Sequence, residues 1–99
     1  MSAIFGEKLI LGQEKGPDVE LVVFGDEFYA RYETAAGYPA IYDSPRGLFC
    51  YARVIDGAYQ SSGISVANDP PPGIVQHAKE SDAVRQTKAA AKAAARQPR

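Results

Sequence analysis

The sequence predicts a small α+β fold: an antiparallel β-meander with a short helix and a C-terminal helical, partly solvated tail. Three observations predict it. Leu48–Ile55, LFCYARVI, is a run of β-forming residues with two well-defined faces. Asp56-Gly57 follows it directly, and Asp-Gly accepts the positive backbone angles of a type I′ hairpin turn. The last fifth of the chain, AVRQTKAAAKAAAR, is built of alanine, lysine and arginine, which favour helix.

Taken in order, the first apolar stretch is separated from the next by GQEKGPD, residues 12–18, a polar, turn-forming segment. Val19–Phe24, VELVVF, is rich in β-branched residues and reads as a partly buried strand. The block Asp26–Thr34 fits either period, because Phe28 and Tyr32 share a helical face while Phe28, Ala30 and Tyr32 share a strand face. With Asp26 as cap and Glu27 in the first turn, a short helix is the expectation. Tyr38–Asp43 is a strand whose proline places it at an edge or at its own start, and AYQSSGISV returns antiparallel to Leu48–Ile55. Residues 38–66 thus form a β-meander.

Asn68–Gly73, NDPPPG, ends the sheet as a stiff spacer or strap. IVQHAKES is expected to form a short helix laying Ile74, Val75 and Ala78 on the sheet. Ser81 caps a second helix that Pro98 stops. That helix offers Val84 as its one apolar residue larger than alanine, so it is expected to stay solvated. The chain divides into a β-rich domain (1–67), a proline-rich spacer (68–73) and a helical basic tail or linker (74–99).

Ninety-nine residues suffice for one modest core. The single cysteine excludes an internal disulfide framework, so packing must hold the domain. Charge is uneven: from Lys79 onward six basic residues face two acidic ones, a net +4, which leaves −5 of the overall −1 for the rest. The basic residues are spaced among alanines on an acidic protein with no groove-reading motif, which argues against nucleic acid as a partner. No apolar run approaches the roughly 20 residues of a membrane helix. In the start MSAIFGEKLILG, Gly6, Glu7 and Lys8 interrupt the apolar run and no small-residue cleavage site follows. It does not read as a secretory signal peptide, which leaves three alternatives: the protein stays inside, is exported by a leaderless route, or has lost its signal.

Phe24–Tyr38, FGDEFYARYETAAGY, carries the most specific pattern. It contains Gly25-Asp26-Glu27-Phe28-Tyr29, then Tyr32-Glu33-Thr34 and a turn to Gly37-Tyr38. Gly47, Phe49, Tyr51 and Ala52 supply a glycine followed by an aromatic strand ending in Tyr-Ala, and DGAYQSSGISV and the proline cluster come next. In this order the elements resemble the amino-terminal pro-segment of immune-inhibitor-A-type zinc metalloproteases, over most of residues 18–80. Ala36, where such segments usually carry an acid, and Cys50, where an aromatic is common, depart from that pattern. The resemblance implies a non-catalytic pro-domain of a secreted-type protease, a zymogen module that assists folding of the downstream catalytic domain or masks it. It also implies that Asp26, Glu27, Phe28, Tyr29, Tyr32 and Tyr38 are the partner-binding residues.

The proteases themselves bind zinc through HExxH, with two histidines one helical turn apart and the glutamate as general base. This chain has one histidine, His77, and no such motif, so it is not expected to be an enzyme or to hold a metal or cofactor. Cys50 lies mid-strand between Phe49 and Tyr51, and reads as an inert buried side chain rather than a thiolate switch. His77 reads as an ordinary surface histidine. Asp26 and Glu27 are adjacent and would point to opposite faces of a strand. Capping, or a salt bridge with Arg31 or Arg53, is their structural reading, and facing a downstream protease pocket their functional one. The tyrosines at 29, 32, 38, 42, 51 and 59 suit half-buried sheet faces and equally a docking surface. The alternative function is a stand-alone interaction or loading module whose sheet edge and tyrosines dock on a carrier, such as a secretion or injection apparatus.

Overall fold

The computed structural model describes residues 4–96. Six strands, β1 (Ile4–Gln13), β2 (Gly16–Gly25), β3 (Ala30–Glu33), β4 (Pro39–Asp43), β5 (Leu48–Ile55) and β6 (Ala58–Ser65), precede one helix, α1 (Asp82–Arg96). The strands form one antiparallel sheet in chain order, so every connection is a hairpin between neighbours. This is the expected small α+β meander, but it begins earlier: the first apolar stretch is itself a ten-residue strand. The polar segment 12–18 contracts to a two-residue turn at Glu14-Lys15, because Gln13 and Gly16 are already paired.

Leu21, Ala40 and Phe49 form the core, with Leu11, Val19, Tyr32 and Val66 packed against it. They come together because the sheet curls until the β1–β2 tip meets β4 and β5. Gln13 Oε1 accepts a hydrogen bond from the Phe49 amide at 2.8 Å, and the Lys15 amide donates to the Gly47 carbonyl at 2.9 Å. The Glu14 amide donates to the Tyr42 hydroxyl at 3.1 Å. The Phe49 ring meets Tyr32 and Tyr42 edge-on, at 5.7 and 5.0 Å between centroids. Cys50 is fully buried, and burial pushes its thiol above the ordinary range, as suits an inert side chain.

Asp56 and Gly57 have φ of 52° and 81°, both positive as a type I′ turn requires. Ser81 caps α1, its Oγ accepting from the Val84 amide at 3.2 Å. Pro98, the expected stop, lies outside the described residues.

Two expected helices are corrected. The block 26–34 is a tight turn followed by β3. Asp26 Oδ1 accepts from the amides of Phe28 and Tyr29 at 2.8 and 3.0 Å, and the Asp26 amide donates to the Tyr29 carbonyl at 2.8 Å. Gly25, at φ 134°, makes the entry; a Cβ there would sit 2.1 Å from the Tyr29 carbonyl oxygen. The carboxylate that could cap a helix caps a turn instead, because residues 30–33 gain a full ladder with Val22–Gly25. Residues 74–81 are likewise not helical. Their polar groups bond outward to the sheet: the His77 amide to the Gly37 carbonyl at 2.8 Å, the Ala78 carbonyl to the Tyr59 hydroxyl at 2.6 Å, and the Gln76 side chain to the Ala36 carbonyl at 2.6 Å. With the Pro72 carbonyl held by Arg53 at 3.1 Å and that of Asn68 by Tyr51 at 2.7 Å, residues 68–81 are a strap across the domain.

Candidate functional site

Tyr29 and Glu80 organise the region where strap, sheet and helix meet. The Asp26 turn delivers Tyr29 to the strap, where its hydroxyl donates to Glu80 Oε1 at 2.8 Å. Glu80 is only 3 % exposed, and its other oxygen accepts from the Tyr59 amide at 2.8 Å and from Lys88 Nζ at 2.6 Å. Burial alone would raise the Glu80 carboxyl, but Lys88, the Tyr59 amide and the Tyr29 hydroxyl together hold it below the usual range. Tyr29 is driven the opposite way, above its ordinary value, first by burial and then by bonding to the Glu80 anion. Tyr59 is raised chiefly by burial.

Two further carboxylates are buried. Glu33 pairs with Arg31, and its other oxygen lies 3.0 Å from His77 Nδ1. The Arg31 guanidinium also stacks 4.1 Å above the Phe24 ring. Asp43 is held below the usual carboxylate range, first by the Ser61 hydroxyl at 2.7 Å and also by Arg46, against an upward push from lost hydration. Each of these acids is thus occupied by fixed donors, which is how a buried charge is made structural. Among the described residues no group of three or more His, Cys, Asp or Glu side chains is placed to hold a metal ion.

The candidate site is a groove of about 230 Å³ beside the Tyr29–Glu80 knot. β3 and β4 pair only at Tyr32–Ala40 and Glu33–Pro39; beyond these the two strands part. Ala30 and Arg31 line one wall, Ile41 and Tyr42 the other, while Phe28 and Tyr29 close one end and Lys88 and Lys92 of α1 form the roof. Side chains from both faces of the sheet line the groove, as an open ladder allows.

Of the partner residues expected from the sequence, Phe28, Tyr29 and Tyr32 come together along this groove. The Asp26 carboxylate caps the turn that leads into Tyr29, while Arg31 and Arg53 are engaged elsewhere, with Glu33 and Pro72. Glu27 is exposed on that turn. Tyr38 does not join them and stacks edge-on against Tyr51, 6.1 Å between centroids. His77 is exposed against Gly37, bound to Glu33. Tyr42 and Tyr59, two of the tyrosines suited to a docking surface, also line it, whereas the sequence does not single out Ile41, Glu80, Lys88 or Lys92; only folding the strap back over the sheet brings residues 80–92 to residues 28–32. Comparison with known protein families, with characterised proteins and with solved structures finds no match to the chain.

Proposed function

We propose that this chain is the non-catalytic amino-terminal pro-domain of an immune-inhibitor-A-type zinc metalloprotease, which folds beside the catalytic domain and assists its folding or masks its cleft. The observation that carries this reading is the ordered pattern from Gly25 to Ile64. The GDEFY turn, the Gly47–Ala52 strand and the Asp56–Val66 return occur in the order of the pro-segments they resemble. The placement of Phe28, Tyr29 and Tyr32 on one groove is consistent with a docking role, since half-exposed aromatics beside a cavity are what protein interfaces use as anchors.

The test adds the purified chain to the separately produced catalytic domain, measuring binding, peptidase rate and the yield of active enzyme on refolding. A saturable complex with slower cleavage, or a raised refolding yield, is expected. A catalytic domain that neither binds the chain nor changes in rate or yield would end this reading.

The free edge of β1 favours a second reading. Among the described residues β1 pairs only with β2, and it exposes Phe5 and Ile10, at 86 and 64 %. Such an edge accepts an added strand, as a loading module docking on a carrier or secretion apparatus would require. Capture of a carrier protein that survives loss of the protease partner, and disappears in Ile10→Lys, would favour it.

A further inference from the structure

The gap between β3 and β4 leaves two strand edges facing each other without a ladder. A β-ladder normally continues as far as both strands extend, because each amide and carbonyl taken from water needs a partner. Here it stops after two residue pairs although β3 runs on to Ala30 and β4 to Asp43. The volume between them equals that of about eight waters at ~30 Å³ each, enough for one large side chain with its backbone but not for a folded element.

Charge selects the occupant. Of the cations at the groove, Arg31 is taken by Glu33 and Lys88 by Glu80, while Lys92 has no ion-pair partner among the described residues. A second depression, of about 350 Å³, shares Tyr29 with the groove and is lined also by Phe5, Phe24, Lys79 and Arg85. Arg85 is paired with Asp82 and Lys88 with Glu80; with Lys92 they follow one another at helical spacing, so α1 carries a net-positive stripe beside these aromatic walls whose unpaired charge is Lys92. In a chain whose remainder is acidic, this is the surface that attracts negative charge.

We propose that the open β3–β4 ladder under α1 seats an extended acidic peptide segment of the partner protein. Its backbone runs along the parted strands, an aromatic or branched side chain fills the notch against Ile41 and Tyr42, and a carboxylate meets Lys92. This deepens the pro-domain reading and rests on it for the identity of the partner, the segment then belonging to the catalytic domain.

The probe is the peptide acetyl-Glu-Val-Glu-Phe-Val-Glu-amide, titrated into the isotope-labelled full chain, with the matching peptide carrying lysine for each glutamate as control. Expected are saturable amide shifts at Ala30, Arg31, Ile41 and Tyr42, and binding at least about tenfold weaker for the basic peptide. Ala30→Trp, which plugs the groove, abolishes these shifts. Lys92→Glu, on the exposed helix surface, weakens binding about two- to fivefold, the scale of one exposed ion pair, with the amide spectrum away from the groove unchanged. Equal binding of both peptides, shifts confined to the β1 edge, or no saturation at millimolar peptide would overturn the proposal. The two levels separate cleanly. A catalytic domain that binds Ala30→Trp as well as wild type removes the groove and leaves the pro-domain, whereas peptide binding without catalytic-domain binding does the reverse.

Discussion

Two regions of the sheet, which meet at Tyr32, Ala40 and Tyr42, are held by different physics. At one, Leu11, Val19, Leu21 and Phe49 pack together, and the β1–β2 tip is tied to β4, β5 and their turn by the Lys15–Gly47 backbone bond and by bonds through the Gln13 and Tyr42 side chains. At the other the β3–β4 ladder parts, and what joins the elements is a set of hydrogen bonds converging on Glu80. Apolar contact is non-directional and improves with closeness, so it draws strands together until no space remains. A hydrogen-bonded carboxylate fixes its donors at set distances and directions, so it can hold a helix and a turn beside a gap without closing it. The open region is therefore a built opening rather than a packing failure.

Phe49→Ala should have the largest effect. It removes the ring that Tyr32 and Tyr42 pack against, and a loss of about 3–5 kcal/mol is expected in urea unfolding, with both hairpin tips released. Glu80→Ala should follow, at about 2–3 kcal/mol, because the Tyr59 amide and the Tyr29 hydroxyl lose their acceptor. Hydrogen exchange should then speed up in α1 while the Phe49 region stays protected; equal loosening of both regions would refute the division.

Acid and alkali probe the same region. The Glu80 carboxyl is lowered by folding, so its contribution is complete above the ordinary carboxylate value of 4.5 and is lost as pH falls through its folded value. Glu80→Gln should flatten that acid limb. Tyr29 and Tyr59 are raised by folding, so their contribution is complete below 10.0 and is lost as pH rises beyond it. Tyr29→Phe should reduce the alkaline loss measured in pH-dependent unfolding.

Gly57→Ala is expected to cost about 1–2 kcal/mol. At φ 81° a Cβ is strained and would stand 2.9 Å from Ser81 Oγ, so the hairpin turn and the α1 cap are disturbed together. The smallest effect belongs to Lys92→Ala, within about 0.5 kcal/mol by thermal unfolding. A larger loss would mean that the groove roof is structural and not reserved for a partner.

Much of the closed region was legible from residue order. Val19–Phe24 and Leu48–Ile55 are β-forming runs bounded by turn residues, and Asp56-Gly57 can make one kind of turn, so strand and hairpin follow from local chemistry. The Ser81 cap and the alanine-rich helix are local for the same reason. The open region was not legible. Asp26 caps equally well in a helix or a turn, and what decided between them was a ladder with β2, a contact no window of sequence contains. Residues 74–81 carry apolar spacing that suits a helix, yet their polar groups are claimed by Gly37, Tyr59 and Ala36.

By itself, then, the sequence determined an α+β meander, the turn at Asp56-Gly57 and the start of the final helix, because each rests on propensities and backbone angles that neighbouring residues settle. Only the tertiary structure decided that the ladder opens between β3 and β4, that Glu80 is buried against Tyr29, and that Lys88 and Lys92 stand over the aromatic groove. Those facts depend on which distant donors reach a buried carboxylate first, and that competition is resolved in space rather than along the chain.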